Sequence, residues 1–186
     1  YKEPKLKIMG VEAVKSSTPA ACREKIKDAL KIIMTKDNQE LNSFIQDFRK
    51  DFMNLKPELI AYPRSVNGLN KWTESHNLFK KGAPIHCKGA ILYNHLLQDK
   101  KLQNKYPYIQ EGDKIKFLHM KTPNVYQSTS ISFMTKLPNE LNLHNFIDYD
   151  MQFEKSFVEP LKFITDIIRW QIDSSYGTQG TLEGFF

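Results

Sequence analysis

Residues 15–52 read KSSTPAACREKIKDALKIIMTKDNQELNSFIQDFRKDF, and the spacing of the apolar residues in this stretch decides the fold class. In its first half Cys22, Ile26, Ala29, Leu30 and Ile33 step by four, three, one and three, which lays them along one stripe of a helix. Arg23, Lys25, Lys27 and Lys31 fall mainly off that stripe. Ahead of it, the hydroxyl residues that end at Thr18, followed by Pro19, read as an N-cap before a proline at the first helical position, so the helix is expected to begin there. In the second half Asp37 and Glu40 have capping-box spacing and precede Leu41, Phe44, Ile45, Phe48 and Phe52, a second stripe of the same period. Two such stripes across a short link predict a helical hairpin.

Working outward, Lys5 to Val14 is apolar and strand-like. After Lys56-Pro57 the helical period stops, and Glu58 to Val66 reads as extended, with Pro63 suggesting a sheet edge. Asn67-Gly68 marks a turn. Pro84 to Gln98 reads as helix, with Ile85, Gly89, Leu92 and Leu96 on one side. Lys114 to Met120 alternates basic or polar with apolar residues, as a half-buried strand with outward lysines does. Ser128 to Phe133 is its expected partner across the turn at Thr122-Pro123-Asn124. Helical spacing returns from Asp150 to about Trp170 through Phe153, Phe157, Leu161, Ile164 and Ile168, with a kink or break expected at Pro160. Residues 174–178 are linker-like. The expectation is an α+β, mainly helical fold: a helical hairpin, a small β component and a final long helix.

The 186 residues carry 27 Lys+Arg against 21 Asp+Glu, a net charge of +6, with 40% hydrophobic residues, which is globular rather than disordered composition. No apolar run approaches the roughly 18–20 residues of a membrane-spanning helix, and Tyr1 to Lys5 lacks the apolar segment of a secretion signal, so the chain reads as cytosolic. Beginning on Tyr rather than Met, it also reads as a piece of a longer protein or the later half of a split one. Cys22 and Cys87 are far apart and have no metal-ligand spacing, so two buried thiols are expected, without disulfide or zinc.

No nucleophile with its base, no phosphate-cradling glycine loop and no histidine cluster for a metal can be assembled, so no catalytic or metal-binding residue is nominated. Asp148 and Asp150 read more simply as helix-capping groups, and His86, His95, His119 and His144 as structural or solvated. The basic residues fall in short groups: Lys5, Lys7 and Lys15; Lys80, Lys81 and Lys88; Lys114 and Lys116; Lys155. Two readings stay open, a solvated polar surface or a surface tracking nucleic-acid phosphates, where each ammonium neutralises one phosphate and releases counterion. Lysine, a point charge, suits backbone holding better than base reading. At the C-terminus Gln179, Leu182, Phe185 and Phe186 fit the pattern Q-x-x-[LIM]-x-x-[FY]-[FY], in which one helical turn presents apolar groups to a pocket on a partner. Docking of Phe185 and Phe186 on this chain's own core is the alternative.

Residues 3–12, EPKLKIMGVE, followed by Lys15-Ser16-Ser17-Thr18-Pro19, resemble the palm-to-thumb junction of the family B replicative DNA polymerases of T-even-type phages. Residues 84–90, PIHCKGA, and 153–161, FEKSFVEPL, are similar to that family's other thumb signatures, and the resemblance runs from end to end. It implies a helical thumb that grips primer–template duplex DNA through its phosphates, with final residues that bind the ring-shaped sliding clamp. On this reading residues 1–14 end the palm and form the junction strand, 15–173 are the thumb, and 174–186 are a flexible tail.

The resemblance implicates Lys15, Ser16, Ser17, Lys80, Lys81, Lys88, Lys114 and Lys155 in duplex contact, with Lys116 beside Lys114, and Gln179, Leu182, Phe185 and Phe186 in clamp contact. Glu159 stands where the family's later helix often has a second lysine, and the tail is fuller than the short aromatic peptide of the T-even enzymes. The family's metal-holding motifs, D-x-x-S-L-Y-P and D-T-D, and its nucleotide-gripping K-x-x-x-N-x-x-Y-G helix are absent from this chain. The chain alone is therefore expected to hold no cofactor and to polymerise nothing, the Mg2+ of a parent enzyme being held elsewhere. The implied partners are duplex primer-template DNA, the sliding clamp and the palm, fingers and exonuclease parts, with no membrane, in the cytoplasm of the infected bacterial host. The runner-up is a stand-alone clamp-binding adaptor with no DNA-holding function; a small hydrolase using Asp148 or Asp150 with a histidine is a remote third.

Overall fold

The computed structural model describes residues 15–173. The junction strand expected over Lys5 to Val14 and the tail peptide lie outside the described residues. Helices α1 (Ala20–Thr35) and α2 (Asn38–Phe52) form the expected hairpin. Cys22, Ile26, Ala29 and Leu30 are buried on one, Leu41, Ile45, Phe48 and Phe52 on the other. Asp37 caps α2, its Oδ1 accepting from Glu40 N at 2.9 Å. The start of α1 differs from expectation: Pro19, with ψ 141°, takes the cap position itself, and no side chain caps the helix. Arg23 stabilises the entry instead, donating from Nε to the Thr18 carbonyl at 3.0 Å and from Nη2 to that of Ser16 at 3.1 Å.

One short helix takes the start of the stretch expected to be extended, and a second follows the Asn67-Gly68 turn. Pro57, pre-set for a first helical turn, opens α3 (Pro57–Ile60), closed by Ala61 N donating to Pro57 O at 3.1 Å. Strand β1 (Tyr62–Ser65) begins only after it. Gly68, with φ +82°, then starts α4 (Leu69–Trp72), whose first amides are taken by the Glu111 carboxylate, at 2.6 Å from Gly68 N and 2.8 Å from Leu69 N. Helix α5 (Ile85–Asp99) follows the expected period.

Strands β2 (Lys114–His119) and β3 (Ser130–Phe133) complete an antiparallel sheet of order β1-β2-β3, which leaves Pro63 on an edge strand as expected. Helix α5 packs on β3: the hydroxyls of Ser130 and Ser132 donate to the Ile85 and His86 carbonyls at 2.6 and 2.8 Å. A Cβ on Gly89 would lie 2.7 Å from Ser132 N, so glycine is needed for this approach. The lysine face of β2 is only half solvated, because Leu118, which shares it with Lys114 and Lys116, is buried.

The final helix runs as α6 (Tyr149–Phe153), a π-turn (Glu154–Val158) and α7 (Glu159–Ile167). Asp148 caps it, accepting from Met151 N at 3.0 Å. Pro160 does not break it. Proline has no N–H for the carbonyl four residues back, and the wider π-turn, closed by Glu159 N to Glu154 O, absorbs the mismatch. Phe153 and Phe157 pack with Phe48 and Phe52 of α2, with ring centroids 4.8–5.8 Å apart. This aromatic cluster joins the hairpin to the final helix.

Candidate nucleic-acid interface

Antiparallel pairing places Tyr62 opposite Phe117 and Arg64 opposite Ile115, so Tyr62, Arg64, Phe117 and, two residues on, His119 share one sheet face. Ser132 and Ser130 share that face as the partners of Phe117 and His119, and α5 covers it over β3. Over β1 and β2 the face is only partly open: Tyr62 and Arg64 are half-buried, and Ile115, Phe117 and His119 are buried. The final helix walls the opening with Lys155, Glu159 and Pro160, leaving a groove of about 460 Å³.

The groove has an ordered cationic floor. The Tyr62 and Phe117 rings stack with centroids 5.0 Å apart, and the Arg64 guanidinium lies 5.4 and 5.5 Å from their centres. Such packing holds the guanidinium in one orientation while its charge remains available to an anion. Arg64 Nη1 also donates to the Ser17 carbonyl at 3.0 Å, which brings the segment entering α1 to the groove. At the wall, Lys155 Nζ lies 3.5 Å from Glu159 Oε1, so that carboxylate offsets part of the positive field.

Gln152 sets the wall against the floor. Buried where β1 and β2 diverge, it donates from Nε2 to the Ile60 carbonyl at 2.7 Å and accepts from His119 N at 2.9 Å. Burial lowers the pKa of His119 from 6.5, and the Lys155 charge adds to the shift against Asp148 and Glu159. Burial and the Arg64 charge lower that of His86, whose ring centroid is 6.4 Å from that of Phe117. Both histidines are therefore neutral at pH 7. Burial raises the Tyr62 hydroxyl, which stays protonated. The groove offers a fixed guanidinium, an ammonium and neutral rings, a set suited to holding phosphate by charge.

Of the residues nominated from sequence, Lys15 and Ser16 are exposed and Ser17 half-buried beside Arg64. Lys155 lines the groove. Lys80 and Lys81 are exposed just ahead of α5. Lys88 lies on the other flank of α5 from His86, two residues earlier, with its Nζ 5.5 Å from the centre of the Phe79 ring. Lys114 and Lys116 pair with Ser65 and Pro63, so they lie on the sheet face opposite Arg64; Lys116 Nζ donates to the Glu58 carbonyl at 3.2 Å. Gln179, Leu182, Phe185 and Phe186 lie outside the described residues. Tyr62, Arg64, His86, Phe117 and His119 were not nominated, although the i, i+2 pairs Tyr62/Arg64 and Phe117/His119 carry a strand-face signal.

No protein-family model matches the chain. The DNA-directed DNA polymerase of Escherichia phage RB69 is 31% identical to it over 170 residues, 89% of the chain. The chain is homologous to phage DNA polymerases. That of Enterobacteria phage T4 is 28% identical over 165 residues, 87% of the chain, and the chain spans 18% of the length of each relative. Among solved structures it is similar to the family B DNA polymerase from the hyperthermophilic archaeon Pyrobaculum calidifontis, at 8% identity and a TM-score of 0.47, over 78% of this chain and 17% of that one. In this phage-polymerase homologue, the matched region is long enough to include both the groove and the α1–α2 hairpin.

Proposed function

We propose that the chain is the thumb of a phage DNA polymerase: residues 15–173 grip primer–template duplex through its phosphate backbone, and Gln179, Leu182, Phe185 and Phe186 tether the enzyme to a sliding clamp. The observation that carries the DNA-holding reading is the guanidinium of Arg64, held beside the stacked rings of Tyr62 and Phe117 in a groove that Lys155 also lines. Lys15, Ser16 and Ser17 extend the contact along one backbone, and Lys80 and Lys81 just ahead of α5, with Lys88 on its far flank, supply further cations. Charge-based holding without base contacts lets the duplex advance as it is made. The tail raises the effective concentration of the clamp at the DNA. The palm, fingers and exonuclease parts complete the enzyme, and catalysis belongs to the palm, in the cytoplasm of an infected bacterium.

Fluorescence anisotropy with a labelled duplex over a salt series tests the grip. Three to five phosphates neutralised predict a log–log slope of about −3 to −4.5, at about 0.9 per phosphate. A stand-alone clamp-binding adaptor predicts no duplex affinity at low salt. Deleting residues 179–186 tests the tether: processive synthesis with clamp should fall in the reassembled enzyme, while clamp-free synthesis is unchanged.

A further inference from the structure

The two cations that line the groove are held differently. Arg64 is anchored: its guanidinium packs beside the Tyr62 and Phe117 rings, and its Nη1 donates to the Ser17 and Pro63 carbonyls at 3.0 and 2.8 Å. Lys155 stands on the helix wall with its side chain about half exposed, and its counter-ion is Glu159, with Nζ 3.5 Å from Oε1. Glu159 is the one carboxylate among the described residues that line the groove. Its charge reaches the floor. Burial sets the low pKa of His119, and on that ring Lys155 acts to lower it while Asp148 and Glu159 act to raise it.

Distance and exposure decide what this pair can do. At 3.5 Å the contact is longer than the roughly 2.7–2.9 Å of a charge-assisted hydrogen bond, and both side chains meet solvent, so the pair is weak. An ammonium on a flexible four-carbon stem can turn from it to another anion, whereas the anchored guanidinium cannot. The carboxylate does not leave when the ammonium turns. It stands one helical turn further on, four residues along the same wall, and so stays beside any phosphate that Lys155 takes.

We propose that Glu159 is an internal competitor for phosphate: in the free chain its carboxylate holds Lys155, and a duplex must displace it and then bind beside its negative charge. Arg64 then supplies the fixed part of the grip and the Lys155–Glu159 pair the releasable part. A backbone moving through the groove is let go at the wall more readily than two unopposed cations would allow. This rests on the reading of the groove as a duplex site, and concerns how strongly that site holds.

Anisotropy of a labelled duplex titrated with the full 186-residue chain over a salt series tests it, with Glu159→Gln, Lys155→Gln and the double variant. Glu24→Gln is the control, because Glu24 pairs with Lys27 at 3.1 Å on α1, similarly exposed and not lining the groove. Glu159→Gln should tighten binding about three- to five-fold and steepen the salt slope by up to about 0.9, while the control changes affinity less than about two-fold. In the Lys155→Gln chain the gain from Glu159→Gln should shrink to about that of the control, since the cation competed for is gone. If Lys155→Gln weakens the complex but Glu159→Gln tightens it no more than Glu24→Gln does, the competitor proposal is overturned and the groove reading stands. Indifference to both substitutions would overturn both.

Discussion

Arg64 Nη1 donates to the Ser17 carbonyl at 3.0 Å, so one side chain of the edge strand both floors the groove and holds the segment that enters α1. If that cation meets phosphate, Arg64→Ala should weaken duplex binding about ten-fold at moderate salt and reduce the salt slope by about 0.9. Arg64→Lys keeps the charge but loses the planar fork that reaches Ser17, so it should restore the slope and only part of the affinity. Anisotropy titrations of the two variants at several salt concentrations provide the check.

A second arginine does structural work. Arg49, buried on α2, donates from Nη2 to Glu154 Oε1 at 2.7 Å and lies 4.5 Å from the centre of the Phe153 ring, while its Nε and Nη1 have no hydrogen-bond partner among the described residues. Removing the carboxylate leaves a charge in the aromatic cluster without its counter-ion. Because Glu154 is about a third exposed, Glu154→Ala should cost about 1–3 kcal/mol in urea unfolding, below the range for a fully buried pair. Duplex affinity of the folded variant should be unaltered.

Groove charge should also depend on pH. Burial holds the pKa of both His86 and His119 below 6.5, so each is neutral at pH 7 and gains a proton only as pH falls below that value. Protonation adds positive charge beside Arg64 and Lys155. Duplex affinity at fixed salt should therefore be flat from pH 8 to pH 7 and strengthen as pH falls below 6.5, and His119→Phe should remove part of the rise.

The two thiols should be inert in the folded protein. Burial raises the Cys22 pKa to about 11, and it also raises that of Cys87. A thiol-specific chromogenic reagent at pH 8 should react with neither in the native state and with both after unfolding. Fast labelling of one thiol in the native protein would contradict this packing.

The parts of the fold that could be read directly are those whose information is local. The stripes of α1 and α2, the Asp37 and Asp148 caps and the β2–β3 pairing each lie within some twenty residues of chain. Helix α4 depends on Glu111, forty-two positions after Leu69, and its cap is therefore invisible to local pattern. The groove was missed for the same reason: Arg64, Phe117 and Lys155 meet only through strand pairing and the packing of the final helix. At Pro160 the helix continues instead of breaking, and a proline rule taken alone does not anticipate the π-turn in front of it. The resemblance implicates Lys114 in duplex contact, with Lys116 beside it, and which sheet face carries them becomes legible only through the β1–β2 register, which puts both on the face away from Arg64.

Those two faces allow a charge-matched comparison. Arg64→Gln with Lys155→Gln removes two charges from the groove, and Lys114→Gln with Lys116→Gln removes two from the far face of the same sheet. If the groove holds the duplex, the first pair should lower affinity at least ten-fold and reduce the salt slope by nearly two, with the second pair close to the unaltered chain in both. Equal losses from the two pairs, or a larger loss from the far face, would contradict a binding site in the groove.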